Sequence, residues 1–583
     1  MKPLAIRVLI FTYQSTFRSN MTPFTVGDYL AERLAQIGIR RHFVVPGDYN
    51  LVLLDKLEAH LALEEIGCTN ELNCSLAAEG YARAHGIGAC VVTYSVGAFS
   101  AFNGIGSAFA ENLPVILISG APNTNDIGQH PLHHTLGERD FTYQFEMASK
   151  ITCCAVAVRR AGHAPELIDR ALRTAALERK PAYIEIPMNL AGEACAHPGP
   201  IGAVLEPIPS NGASLEAAVR LTAEYLSTRQ KPVILVGPKV RRAGAEKELL
   251  QLAETLGCAV VVQPAAKGFF PEDHPQFAGI FWGQVSTLAA DAIVNWADVL
   301  LCVGTVFSDY STVGWTALPG VPQLVVDADS VTLPEPNTHF GRVQLWDFLA
   351  GVADLASWND STMVEYNRLR PDPPLEHASD GRDRLTRKEV ARQIQMLLTP
   401  ETTVFADTGD SWFNGIQLRL PRGAEFEIEM QWGHIGWTLP ASFGYKLAKP
   451  ERRIIVMVGD GAFQMTAQDI SQMVRWRTPV IVLLMNNRGY TIEVEIHDGQ
   501  YNRIHDWNYA LLVEAFNSKE GGGHALGLEA HDAGQFAETL KRAMAHRNGP
   551  TLIECKVHRD DCSKELITWG HFVAAANARP PTS

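Results

Sequence analysis

The chain has little cysteine, no long apolar run and no excess of positive charge, and each shortage removes a class of function. Ten cysteines are spread irregularly over 583 residues without a single CxxC pair, the closest being Cys68 with Cys74 and the adjacent Cys153 and Cys154. That usage reads as reduced thiols in a cytoplasmic protein rather than a disulfide framework. The longest aliphatic stretches, such as VIVLLM at Val480 to Met485, fall far short of the roughly 20 residues that cross a bilayer. No membrane role is expected. Lys+Arg 50 against Asp+Glu 64 leaves a formal charge of -14, which repels nucleic acid and anionic membrane, so neither is expected as a partner. GxGxxG, Walker A and HExxH are all missing, although the strand ends Val236-Gly237 and Val326-Asp327 invite a nucleotide-binding reading. The opening MKPLAIRVLIF pairs a cation with an apolar stretch, but Arg7 interrupts it and no small-residue cleavage site follows, so it is not read as a signal peptide.

What remains is ordinary soluble composition, 46% apolar and 20% charged, which excludes disordered, collagen-like and coiled-coil classes. The length calls for several domains. Residues 1–21 are expected to be a disordered N-terminal extension or an upstream-start artefact, because a clean helical pattern begins only in MTPFTVGDYLAERLAQIG at Met21. From there, amphipathic helices alternate with short buried strands (RHFVVPG, ACVVTYS, PVILISG) over 22–196. A Pro/Gly-rich linker follows at 197–213. A second α/β block covers 214–356, with strands KPVILVG, CAVVVQ, DVLLCVG and PQLVVDAD. A polar, Pro-bearing linker is expected at 357–384, and a third block runs over 385–560 with TVFADTG, RRIIVMVG and PVIVLLMNN, leaving a C-terminal segment at 561–583. Alternation of this kind predicts α/β architecture with three doubly wound parallel-sheet domains.

The strongest chemical signal is Gly459-Asp460-Gly461 followed 27 residues later by Asn487, at the end of the next apolar strand. One helix and one strand fit between, so both segments are predicted to reach the carboxyl edge of a parallel sheet, where open α/β sheets bind ligands. Thr466 and Asp469 have capping-box spacing, which predicts a helix from Ala467, and Pro479 marks entry to the next strand. The Asp460 carboxylate, the Asn487 amide oxygen and the Gly489 carbonyl are the oxygens that Mg²⁺ prefers, with positions left for phosphate. A Gly-Asp-Gly turn alone is common; its spacing to the Asn pair is what carries the reading.

This segment resembles the thiamine diphosphate motif, and the chain around it resembles the pyruvate decarboxylase group of 2-oxo acid decarboxylases, in its bacterial type. GDYN at Gly47, NELNCSLAAEGYARA at Asn70, HHTLG at His133, DTGDSWFN at Asp407, EMQWGHIGW at Glu429 and NRGYTIEVEIHDGQYN at Asn487 carry the resemblance, which extends from about Thr25 to the C-terminus. It implies thiamine diphosphate and Mg²⁺ as cofactors, and pyrimidine-binding, middle and diphosphate-binding domains. The implied reaction is non-oxidative conversion of pyruvate to acetaldehyde and CO₂ through an ylide and an enamine, with acyloin carboligation as a side reaction. Under the same resemblance Glu71 activates the cofactor, while Asp48, His133, His134 and Glu493 handle protons and substrate. Thr408, Gly409, Asp410, His434, Ile435, Gly459, Asp460, Gly461, Ala462, Asn487, Gly489 and Tyr490 surround the cofactor, Ile435 supporting its thiazolium. Trp412, Ile492, Ile496 and Trp569 narrow the substrate pocket. DTGD departs from the more usual ETGD at Asp407. The resemblance also implies a homodimer at least, with a homotetramer expected, and a cytoplasmic location. A decarboxylase of aromatic or branched 2-oxo acids stays open as an alternative. A flavin or nicotinamide oxidoreductase and a silent scaffold are the readings from other classes.

Overall fold

A computed structural model describes residues 23–137, 140–371, 380–519 and 521–581; the extension expected at 1–21 lies outside them. Among the described residues no helix is long and apolar enough to cross a membrane, and all ten cysteines carry free thiols.

Three sheets follow one another along the chain. The first contains β1 (Arg41–Val44), β2 (Glu64–Gly67), β3 (Gly88–Val92), β4 (Val115–Ala121), β5 (Cys154–Ala157) and β6 (Ala182–Pro187). Its order is β2-β1-β3-β4-β6-β5, with every pairing parallel. The second holds β7 (Pro232–Val236), β8 (Ala259–Val262), β9 (Phe277–Ile280), β10 (Val299–Val303), β11 (Gln323–Val326), β12 (Ser330–Pro334) and β13 (Asn337–Gly341), ordered β13-β12-β11-β10-β7-β8-β9. The third holds β14 (Thr402–Ala406), β15 (Glu425–Ile428), β16 (Arg453–Gly459), β17 (Val480–Asn486), β18 (Leu526–Ala530) and β19 (Thr551–Lys556), ordered β15-β14-β16-β17-β19-β18 and again all parallel. Counted from its own first strand, the third sheet repeats the order of the first. The central strands β3, β4, β10, β14 and β17 are buried at every position, as expected where helices cover both faces.

Two features depart from the sequence-based picture. The second sheet is not wholly parallel: β12 pairs antiparallel with both β11 and β13, because the short connections on either side of β12 permit a hairpin but not a crossover. The stretch expected as a linker at 357–384 holds a helix, Ser361–Leu369, whose Met363 and Tyr366 are buried against the second sheet; 372–379 lie outside the described residues.

The chain forms two compact units. Among the described residues, one comprises those up to Ile208 together with Leu439–Pro450; the other comprises those of Pro209–Thr438 and those from Glu451 on. Most of the helix Thr438–Ala448 thus belongs with the first sheet, although it follows the third sheet's β15 in sequence. It meets the helix Glu71–His85 at glycines on both sides. A Cβ on Gly80 would stand 1.9 Å from the Ala441 carbonyl oxygen, and one on Gly444 would stand 1.9 Å from that of Ala77. Only glycine permits this backbone approach.

His42 in β1 is fully buried with neither ring nitrogen partnered, and burial pushes its imidazole down to about 4. An unfolded chain protonates that ring near pH 6.5, so its contribution to stability is complete above that value. As pH falls toward 4 the contribution is lost, up to about 3 kcal/mol. His42→Leu should flatten the decline in unfolding free energy between pH 7.5 and 5; an unchanged slope would show that His42 is not its source.

Candidate active site

The third sheet reverses its winding between β14 and β16, and the loops leaving those strands open a crevice of the kind that binds ligands in α/β sheets. Gly459 pairs with Met485, so Asp460 and Asn486 leave the sheet side by side and Asn487 follows. The two asparagines divide their work. Asn486 is buried, donating to Asp506 (2.8 Å) and Glu554 (2.6 Å), whereas Asn487 faces the crevice.

Asp460 is buried. It accepts hydrogen bonds from the backbone of Gly461 (2.8 Å) and Arg488 (2.5 Å), yet burial outweighs them and pushes its carboxyl up to about 7. The helix starts at Asp460 itself, capped by Gly459, and ends at Thr466. A new helical segment does begin at Ala467, where the capping-box spacing placed a helix start, as the 3-10 turn Ala467–Asp469 that leads into the helix Ile470–Arg475. Thr466 precedes it without capping it, because its hydroxyl is spent on the Gly436 carbonyl (2.7 Å). One amide atom of Asn487 sits 3.2 Å from Asp460 Oδ1 and 3.1 Å from the Gly489 carbonyl oxygen. With nitrogen there it donates to both; with oxygen there, three acceptors converge and call for a cation. Octahedral Mg²⁺ with ligands at about 2.1 Å sets neighbouring oxygens about 3.0 Å apart, so the two separations from Asn487 fit the ion. A Cβ on Gly461 would stand 2.3 Å from the Tyr490 ring, so any larger residue there displaces that ring.

The remaining walls of this crevice include Arg387, Thr408, Gly409, Asp410, Ser411, Ile435, Ala462, Thr491 and Ile492. Gly409 adopts φ +128°, a conformation that favours glycine, and caps the helix Asp410–Gln417. Thr408 Oγ1 is buried and unpartnered, an orphan that a bound ligand would satisfy. Asp410 lines the crevice while its carboxylate is engaged by Arg387, Ser563 and Asn414.

Ile435 sits between Gly433 and Gly436, both at positive φ. Asp407 fixes that loop: fully buried, it accepts from Gly436 N (2.9 Å), Thr438 N (3.0 Å) and the Thr438 hydroxyl (2.5 Å). Burial raises its carboxyl above the ordinary range despite these donors. His434 donates its backbone N–H to Glu429 (2.6 Å), its Nδ1 is buried without a partner, and burial lowers its imidazole.

Beside Ile435 lies a cavity of about 230 Å³ lined by Tyr310, Thr408, Trp432, Gly433, Ile435, Tyr490, Ile492, Glu493 and Ile496. Ile492, Glu493 and Ile496 are brought together as the sequence implied. Trp412 and Trp569 stand elsewhere: both are fully buried and pack edge-on against Tyr310, at 6.3 and 4.9 Å between ring centroids, as a second layer behind the wall. The Trp569 indole donates to the Tyr310 carbonyl oxygen at 3.3 Å. Tyr310 and Arg387 escaped the sequence reading, while Trp432 and Ser411 entered it only inside the motifs EMQWGHIGW and DTGDSWFN, with no site role assigned. Tyr310 stands 98 residues before Thr408 and carries no motif; only long-range packing reveals it.

In the other unit, Glu71 opens the helix Glu71–His85, where Asn70 caps by accepting from Asn73 N. Its Oε1 lies 3.2 Å from where a Cβ on Gly97 would stand. Asp48 pairs with His133 (3.0 Å) and His134 (3.4 Å) through their Nε2 atoms.

Comparison with known proteins agrees with this geometry. Residues 24–142 match the thiamine pyrophosphate enzyme N-terminal TPP binding domain, 219–339 the central domain and 407–555 the C-terminal TPP binding domain. A pyruvate decarboxylase of Neurospora crassa is 67% identical over 96% of this chain and 97% of its own length. Pyruvate decarboxylase 3 of Arabidopsis thaliana and pyruvate decarboxylase 1 of Pisum sativum are each 44% identical, over 96% of this chain and 94% of their own. Fold and site thus define a thiamine pyrophosphate enzyme, and within that class the chain belongs to the pyruvate decarboxylase family. These relatives are fungal and plant proteins, which lend no support to the bacterial type expected from the sequence.

Proposed function

We propose that this protein converts pyruvate to acetaldehyde and CO₂ without oxidation, using thiamine diphosphate together with Mg²⁺. The observation that carries this reading is the oxygen triangle of Asp460, Asn487 and Gly489 in the same strand-end region as a cavity walled by Ile435, Tyr310, Ile492, Ile496 and Glu493. The triangle would hold the metal, and the surrounding glycines would admit the diphosphate. When bound, the cofactor supplies the electron sink that decarboxylation requires. Glu71 would hydrogen-bond the cofactor's pyrimidine ring. Ile435, in a loop fixed by Asp407, would support the cofactor's thiazolium. Glu493 meets the substrate carboxylate, and Asp48, His133 and His134 exchange protons with the product. Tyr310, Ile492 and Ile496 restrict the pocket to a small 2-oxo acid, with Trp412 and Trp569 backing Tyr310. Carboligation of aldehydes to acyloins is a side reaction of the same site.

In this reading 22–196 bind the pyrimidine, 214–356 form a middle domain, 385–560 bind the diphosphate, and the C-terminal segment lies at the site. The contacts of Ser563 with Asp410 and of Trp569 with Tyr310 support that last placement. The active form is a homodimer at least, with a homotetramer as the full assembly, and the free thiols accord with a cytoplasmic location.

The test is reconstitution. Protein stripped of cofactor should form acetaldehyde from pyruvate only when thiamine diphosphate and Mg²⁺ are both restored, and Ile492→Ala should shift the kcat/KM ratio toward longer 2-oxo acids. Tight cofactor binding without acetaldehyde would instead identify a larger 2-oxo acid as the substrate.

A further inference from the structure

Asp48, His133 and His134 form a cluster whose geometry suits more than proton exchange. One ligand atom from each lies within 4.8 Å of the other two. Side chains of adjacent residues ordinarily diverge in an extended chain, yet these two imidazoles lie side by side, with ring centroids 4.0 Å apart and planes at 39°. The backbone makes this possible: His134 has φ +50°, a left-handed conformation uncommon for a residue with a bulky side chain. Tyr49 fixes the turn. Its hydroxyl donates to the His133 carbonyl oxygen at 2.8 Å, and its ring stands edge-on to both imidazoles at 5.8 Å. Asp48 and His133 are exposed and His134 is partly so, so a hydrated cation can reach all three.

We propose that this cluster is a second cation site, which takes a borderline transition metal such as Zn²⁺ in preference to Mg²⁺. Two imidazole nitrogens and one carboxylate suit zinc, copper and nickel, whereas Mg²⁺ favours oxygen and belongs at Asp460. Three protein ligands leave an open position for water or a substrate oxygen. A metal held there occupies the nitrogens that would carry protons, so it inhibits; that consequence rests on the function proposed above, while the binding does not.

The experiment titrates Zn²⁺ into holoenzyme saturated with thiamine diphosphate and Mg²⁺, by calorimetry, with Cu²⁺ as a paramagnetic substitute read by electron spin resonance. One additional site per chain is expected, with hyperfine coupling to two nitrogens. His133→Ala and His134→Ala should each weaken it roughly tenfold or more, and unchanged thermal unfolding in the absence of Zn²⁺ would show that both variants are folded. Absence of the site in the wild type, or the same isotherm in both variants, overturns the proposal. Because the titration reads binding alone, failure of pyruvate turnover would count against the proposed function and not against this site.

Discussion

Asp460→Asn should lose thiamine diphosphate and Mg²⁺ together and with them all measurable pyruvate turnover. The asparagine has the shape of the aspartate but no charge to offer the metal. Removing one partner of a buried charge pair costs about 3–5 kcal/mol, which corresponds to roughly a hundredfold loss of affinity or more. The fold should survive, because burial already disfavours the charge: the carboxyl is pushed up to about 7 despite its backbone donors. A neutral side chain relieves that penalty, while its amide nitrogen gives up one of the two backbone donors that the carboxylate oxygens accept, so the unloaded variant should be only modestly less stable. Thermal unfolding separates the two effects. The wild type should gain a large shift on loading with cofactor and metal, and the variant almost none, with similar midpoints before loading. A variant that still binds both and turns over normally would remove Asp460 from the metal site.

Glu71→Gln should instead keep the cofactor and lose the chemistry. The side chain is placed by the capped start of its helix and by the lack of a Cβ at Gly97, and the amide keeps its size. What disappears is the carboxylate that would hold the pyrimidine ring in its active form. General acid-base contributions of this kind are worth about 10²–10⁴ in rate, so kcat should fall by roughly a thousandfold while cofactor affinity stays within about tenfold. Exchange of the cofactor's C2 proton with deuterated solvent, followed by nuclear magnetic resonance after acid quench, should slow in parallel. Near-native exchange and turnover would take this role away from Glu71.

The readable parts of the sequence were those in which function is local. Gly459 to Gly461 and Asn487 stand at the ends of two apolar runs, and neighbouring parallel strands carry them to one edge. Strands such as β3, β10 and β17 announced themselves by uninterrupted burial. Short strands with exposed or polar positions, such as β2, β13 and β18, have no such run and were missed. The spacing of Thr466 to Asp469 marked a true helical start at Ala467, but not the cap bond, because a tertiary acceptor, the Gly436 carbonyl, takes the Thr466 hydroxyl. Asp407 drew notice only as a departure from ETGD, while its role is to anchor Gly436 and Thr438 some 30 residues on. Tyr310 and Arg387 reach the site from segments without a motif, and nothing in their immediate sequence marks them.

The helix Thr438–Ala448 has a consequence for how this chain can diverge. Its glycine-lined crossing with Glu71–His85 ties Ala77 and Gly80 to Ala441 and Gly444, so positions more than 350 residues apart in sequence must stay sterically matched. A recombination event that exchanged the first 208 residues with a distant relative would bring a new surface to an old helix, at a crossing too close to absorb even one methyl group. Chimeras that carry 439–450 along with the N-terminal segment keep the matched pair, and that discontinuous block, rather than the linear boundary near 208, is the unit in which the two halves of such a gene can be shuffled.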